Sequence, residues 1–155
     1  MRAYNRIELE KVARETGFIR DNLEKVIRLS NILEFLVSND DLKGKVVLKG
    51  GTAINLTVFD MPRLSVDIDL DYCCNSDKET MMADRAVIGQ EILGHMQSNG
   101  YTLHPSSKNT HALDSWVFSY LNAGGNRDNI KIEINYMMRA HILEPRTRKT
   151  SVPFI

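Results

Sequence analysis

The stretch LKGGTAINLTVFDMPRLSVDIDLDY, residues 48–72, combines a glycine pair with a run of alternating aspartates. The glycines are Gly50 and Gly51, and the aspartates are Asp67, Asp69 and Asp71. Residues two apart on a strand project from the same face, where carboxylates repel one another unless a cation or a proton lies among them. The stretch therefore predicts a strand with an apolar core on one face and a charged site on the other.

Length and composition are those of an ordinary globular domain. The chain has 155 residues, of which 43% are hydrophobic and 26% charged, so we expect one domain with a real core. Twenty basic and twenty acidic residues cancel, so any contact with nucleic acid must come from a local patch. The charged start has no apolar segment of signal-peptide length, and no run approaches the roughly 18 apolar residues of a membrane span. We therefore expect a cytoplasmic protein without membrane contact.

Residues that commonly bind zinc are few and scattered. The only cysteines, Cys73 and Cys74, are neighbours, and neighbouring cysteines seldom form a disulfide because the geometry is strained. We expect reduced thiols, one pointing inward and one outward. The histidines have no ligand spacing, so structural or solvent-exposed roles are expected for all of them. They are His95, His104, His111 and His141.

Hydrophobic spacing predicts an alternation of helices and strands. Helices are expected over about 7–16, 22–38, 52–59 and 78–98, with Asp21 and Asn22 capping the second and Pro62 following the third. Strands are expected over 45–48, 64–72, 101–104, 114–121 and 130–136, and AGGNRDN predicts a hairpin turn between the last two. The fold class is therefore α/β, with a mixed, largely antiparallel sheet packed on one side by helices.

The opening stretch suits a phosphate ligand and a metal ion. A strand that runs into Gly50 and Gly51 and then a helix offers backbone N–H groups at a positive dipole end, where a phosphate can approach closely. Asp67 and Asp69 on the next strand would hold Mg²⁺, which prefers oxygen ligands and bridges carboxylates to phosphates. Without the aspartates, the glycine pair would be read as a turn.

A third carboxylate comes from KIEIN, residues 131–135. Glu133 lies on the polar face of this alternating strand, together with Lys131 and Asn135. Two metal ions held by three carboxylates would activate an acceptor hydroxyl and neutralise the leaving pyrophosphate. The predicted reaction class is nucleotidyl transfer, with Asp67, Asp69 and Glu133 as catalytic metal ligands.

The sequence LKGGTA, residues 48–53, followed by R-x-S-x-D-I-D-L, residues 63–70, resembles the signature of AbiEii/AbiGii-type nucleotidyltransferase toxins. This family belongs to the DNA polymerase β superfamily, and the resemblance spans about residues 26–136. It implies a nucleotidyltransferase palm in which Asp67, Asp69 and Glu133 bind metal. The nucleotide-binding residues implied by the resemblance are Lys49, Gly50, Gly51, Thr52, Arg63 and Ser65.

The resemblance also implies a function and its partners. The chain would transfer a nucleotide from an NTP to tRNA, another RNA or a protein hydroxyl, as the toxin of a bacterial toxin–antitoxin or phage-defence system with a cognate antitoxin. Members of the family usually continue into a further, mainly helical half, so we expect this chain to be a fragment or a truncated relative. The alternative function is a non-catalytic remnant that binds nucleotide or an antitoxin.

Three assignments have alternatives. Lys49 is either a phosphate ligand or a surface lysine beside the loop. Asp71 is either an auxiliary metal ligand or a solvated strand end. Trp116 and Tyr120 are expected in the core, with a base-stacking platform as the alternative.

Overall fold

The computed structural model describes residues 5–57, 67–137 and 145–147, with side chains only up to residue 53 in the first of these ranges. The helices are α1 (Arg6–Thr16), α2 (Arg20–Ser38), α3 (Gly50–Thr57) and α4 (Lys78–Ser98). The strands are β1 (Val46–Lys49), β2 (Asp67–Tyr72), β3 (Thr102–Leu103), β4 (Lys108–Asn109), β5 (Leu113–Leu121) and β6 (Arg127–Asn135).

All six strands form one sheet in the order β1-β2-β6-β5-β3, with β4 also paired to β5. β2 and β6 run parallel, whereas the other pairs are antiparallel. This arrangement confirms the predicted mixed, largely antiparallel sheet. It also places the two strands that carry the candidate carboxylates side by side, although about sixty residues separate them in the sequence.

The core lies between one face of the sheet and the helices α2 and α4. Period-two alternation directs the apolar residues of β2 and β6 to this face, where all of them are buried. These residues are Ile68, Leu70, Tyr72, Ile130, Ile132 and Ile134. Trp116 and Tyr120 from β5 are 3% and 5% exposed and belong to the same cluster, which confirms their predicted core positions. The opposite face of β2 and β6 carries the polar residues.

Several element boundaries differ from the expectations. The cap assigned to Asp21 and Asn22 is wrong, because α2 begins at Arg20 after Ile19, which makes no side-chain cap. Asp21 instead lies in the first turn, where its charge complements the helix dipole. The helix α3 begins at Gly50 rather than at residue 52, and the short strand β4 was not predicted. Residues 58–59, Pro62, residues 64–66 and His141 lie outside the described residues.

The two cysteines are free thiols, as expected. The Sγ atoms of Cys73 and Cys74 lie 3.1 Å and 3.9 Å from the same carbonyl oxygen, that of Gly44. Both side chains are half-buried. Cys74 packs against the hydrophobic core, which agrees with the predicted inward orientation of one of the two thiols. Over the described ranges, no helix is long and apolar enough to cross a membrane.

Candidate active site

The parallel pairing of β2 and β6 brings the candidate carboxylates onto one face of the sheet. In this register Asp69 is paired with Glu133, and Asp67 is paired with Lys131. Side chains of directly paired residues on neighbouring strands lie on the same face and interact. The structure thus places the three carboxylates that were assigned to one site on the same face of two neighbouring strands.

The start of α3 borders the same carboxylates. Gly50 is the first residue of α3 and has a φ of +75°, a backbone conformation that glycine adopts at little cost. A β-carbon at Gly50 would lie only 2.5 Å from Asp69 Oδ2. The glycine is therefore required twice, for its backbone angle and for the close approach of Asp69. Gly51 follows in the first turn of the helix and is exposed.

Asp69 carries poorly compensated negative charge. Its partial burial, followed by the nearby carboxylates of Glu133 and Asp67, raises its pKa above the ordinary value. Within the described part of the chain, no ion-pair partner is found for the carboxylate of Asp69 or for that of Asp67. A cation between these groups would relieve their repulsion.

The pKa of Glu133 is shifted in the opposite direction to that of Asp69. Burial alone would raise the pKa of Glu133, but hydrogen bonds from Lys131 and Ser115 outweigh it, so that the pKa lies below its usual value. Lys131 Nζ lies 2.9 Å from Glu133 Oε2. Ser115 reaches Glu133 from β5, where the two residues are paired in register. Glu133 is therefore ionised and already engaged by partners from its own strand and the next.

A second lysine pairs with the last aspartate of β2. Lys49 Nζ lies 2.5 Å from Asp71 Oδ1. The contact is possible because β1, which carries Lys49, pairs with β2, which carries Asp71. The Lys49 side chain is 41% exposed, whereas that of Asp71 is 16% exposed. Asp71 is thus an ion-pair partner in this structure and not a freely solvated strand end. Whether Lys49 also contacts a phosphate stays a prediction.

The donor chemistry at this face fits a hard divalent cation. Asp67, Asp69 and Glu133 offer only carboxylate oxygens, which are the donors that Mg²⁺ prefers, and the negative charge around Asp69 is not neutralised. However, in the described ranges no three side chains among His, Cys, Asp and Glu are gathered closely enough to hold a metal ion. Asp67 and Asp69 would bind the ion first. Glu133 would complete the coordination of the ion after leaving its present partner, Lys131.

The remaining nucleotide-binding candidates have different positions. Thr52 is 1% exposed, and its hydroxyl donates to the backbone carbonyl of Asp67. This bond ties the first turn of α3 to the start of β2 and gives Thr52 a supporting role in the structure. Arg63 and Ser65 lie outside the described residues, so their contacts with nucleotide stay predictions.

Sequence reasoning did not assign a role to Lys131 or to Ser115. Lys131 lies two residues before Glu133 on β6, so the alternating pattern already indicated that the two side chains share a face. Ser115 is brought to Glu133 only by the pairing of β5 with β6, and no local pattern reveals that register.

A mixed sheet with carboxylates on adjacent parallel strands, next to a helix that starts at glycine, is consistent with a nucleotidyltransferase fold. Residues 32–155 match the family described as "Nucleotidyl transferase AbiEii toxin, Type IV TA system". The chain belongs to this family.

A solved structure shares the fold. The crystal structure of JHP933 from Helicobacter pylori aligns with 82% of this chain at 20% sequence identity and a TM-score of 0.53. The aligned region covers 51% of the JHP933 chain, so the present chain spans about half the length of that protein. No curated protein matches the chain.

Proposed function

We propose that this chain is the nucleotide-binding and catalytic part of a Mg²⁺-dependent nucleotidyltransferase that acts as a toxin in a toxin–antitoxin system. Membership of the AbiEii family supports the reaction class and the antitoxin partner. The observation that carries the proposal is the contact of Gly50 with Asp69, because it joins a phosphate-binding helix start to the carboxylates.

The start of α3 would bind the phosphates of an NTP. Backbone N–H groups in the first turn of a helix have no partner within the helix and lie at the positive end of its dipole. Gly50 and Gly51 present no side chain that would hinder a phosphate. Lys49, at the end of β1, lies next to this turn and supplies a positive charge.

Asp67, Asp69 and Glu133 would hold Mg²⁺ beside these phosphates. The ion, when bound, neutralises charge on the phosphates and lowers the pKa of an acceptor hydroxyl. Asp69 lies against Gly50, and the hydroxyl of Thr52 donates to the backbone carbonyl of Asp67. This placement beside the start of α3 would favour an in-line approach of the acceptor hydroxyl to the α-phosphate, with pyrophosphate as the leaving group.

The acceptor that we propose is an RNA, with tRNA as the first to be tested, and the alternative is a protein hydroxyl. The net charge of zero provides no overall field that would attract RNA, so recognition would depend on local contacts near the site. We also propose a cytoplasmic location, where NTPs and RNA are both present.

A second candidate function is nucleotide or antitoxin binding without catalysis. Two observations favour it: Glu133 is paired with Lys131, and the described residues contain no group of three side chains placed to bind a metal ion. Under this alternative, Asp67 and Asp69 bind Mg²⁺·NTP, but no nucleotide is transferred.

Calorimetric titration with Mg²⁺ and each of the four NTPs tests the site. We expect Asp67→Asn and Asp69→Asn to abolish Mg²⁺-dependent NTP binding while the fold remains intact or becomes slightly more stable, since like-charge repulsion is relieved. Asp41→Asn, in an exposed turn, is the matched control and should bind as the unchanged chain does. Equal affinities for all four proteins would refute the site.

A transfer assay separates the two candidate functions. The chain is incubated with Mg²⁺, radiolabelled NTP and total tRNA, with Asp67→Asn as the control. Label that enters RNA only when Asp67 is present supports the enzyme. Binding of NTP without transfer to RNA or protein supports the non-catalytic alternative.

A further inference from the structure

Lys131 lies on the face of the sheet that carries Asp67, Asp69 and Glu133, which we call the acidic face. Its ammonium group contacts Glu133 Oε2 at 2.9 Å, and its pairing partner on β2 is Asp67. Lys131 is thus a cationic side chain that contacts one candidate metal ligand, Glu133, and lies opposite a second, Asp67.

We propose that Lys131 is a displaceable counter-ion, which holds Glu133 in the metal-free protein and transfers its contact to the triphosphate when Mg²⁺·NTP binds. This inference rests on the proposed function, because it concerns the same site. It assigns to Lys131 a positioning role that acts first through Glu133 and then through the phosphates.

The charge balance of this face supports displacement. Among the described residues of this face, the carboxylates of Asp67, Asp69, Asp71 and Glu133 outnumber the ammonium groups of Lys49 and Lys131 by two. A divalent cation would balance this surplus. When Glu133 turns to that cation, Lys131 loses its partner and becomes available to a phosphate oxygen.

The ion pair can be broken at little cost. The side chains of Lys131 and Glu133 are 39% and 27% exposed, and pairs with this much solvent access contribute little to stability. By contrast, the Arg85–Asp114 pair is 12% and 4% exposed, as expected for a permanent structural link. The lysine side chain is long and flexible, so its ammonium can move while its backbone stays in β6.

The inference predicts opposite effects of one substitution on two ligands. Lys131→Met should bind Mn²⁺ alone about fivefold to tenfold more tightly, because a positive charge that competes for Glu133 and repels the metal is gone. The same variant should bind Mg²⁺·NTP more weakly than the unchanged chain, because the phosphate contact is lost. Lys131→Arg should restore both properties, since it retains the charge.

Lys25→Met is the matched control. Lys25 Nζ lies 2.7 Å from Asp128 Oδ1, and the two side chains are 15% and 27% exposed, so the variant removes a comparable lysine ion pair away from the acidic face. Calorimetry with Mn²⁺ alone, and with Mg²⁺ and each NTP, is carried out on all variants together with Asp69→Asn. Thermal unfolding without metal checks that every variant is folded.

The outcomes separate the inference from the proposed function. If Asp69→Asn abolishes Mn²⁺ binding but Lys131→Met leaves Mn²⁺ affinity unchanged or lowers it, the site stands and the counter-ion role is overturned. If neither the unchanged chain nor any variant binds Mn²⁺ or Mg²⁺·NTP, the proposed function fails and the inference fails with it. Tighter Mn²⁺ binding combined with weaker NTP binding in Lys131→Met, but not in Lys25→Met, supports the inference.

Discussion

Gly50 and Asp69 are in such close contact that a β-carbon on Gly50 would lie 2.5 Å from Asp69 Oδ2. Gly50 begins α3, directly after β1, and Asp69 lies on β2. The antiparallel pairing of β1 with β2 brings the two residues next to each other. The contact joins the proposed phosphate-binding and metal-binding ends of the site, so a change at one end should be detected at the other.

Gly50→Ala should cost about 2 kcal/mol of unfolding free energy, because alanine is strained at a φ of +75° and its methyl group displaces the Asp69 side chain. Gly100→Ala isolates the backbone effect, since Gly100 has a φ of +80° and nothing within 4 Å of its added β-carbon. Urea unfolding and Mn²⁺ titration measure both variants. Loss of Mn²⁺ binding in Gly50→Ala alone is expected, whereas equal behaviour of the two would show that the Asp69 contact has no consequence.

Thr52→Val should destabilise the protein by about 1 kcal/mol, because the Asp67 carbonyl loses the hydroxyl that donates to it. Thr52→Ser retains the hydroxyl and should keep both stability and NTP affinity. Chemical denaturation and calorimetry test the pair. Unchanged stability in Thr52→Val, together with weaker NTP binding in this variant but not in Thr52→Ser, would instead favour direct nucleotide contact by the hydroxyl.

Arg85→Ala should cost about 3 kcal/mol or more, because it leaves the buried Asp114 carboxylate without a cation. Arg85 contacts both oxygens of Asp114, at 2.5 Å and 3.1 Å, and links α4 to β5. Arg6→Ala removes an exposed ion pair with Glu10 and should leave stability unchanged. Thermal unfolding of the two variants decides this, and a similar midpoint for both would contradict it.

His95 should make stability depend on pH below neutrality. Its ring stacks on Phe35 with centroids 3.7 Å apart, and burial lowers its pKa from the ordinary value near 6.5. The unfolded chain therefore takes up the proton more readily than the folded one, so stability is fully present above about pH 6.5 and falls as the pH drops towards the folded pKa. In urea unfolding over this range, the free-energy difference between His95→Gln and the unchanged chain should vary with pH. Parallel stability curves would exclude this role for His95.

The sequence predicted the elements of the site better than their contacts. Alternation in residues 67–72 and 130–135 assigns Asp67, Asp69 and Glu133 to polar faces, because side chains on a strand alternate with a period of two. The helix cap at Asp21 was predicted wrongly, since short-range capping preference is weak beside the packing of a long helix such as α2.

The amino-acid sequence by itself determined which residues are apolar and which are charged along each strand, and where glycine allows the chain to turn. These properties depend on local geometry, so a local pattern is sufficient to reveal them. Only the tertiary structure decided that β2 and β6 pair in parallel with Asp69 beside Glu133, and that Lys131 takes Glu133 as its partner. Register between strands far apart in the chain depends on how the whole sheet packs against α2 and α4, and a shift of two residues would preserve the same alternation while bringing different charges together.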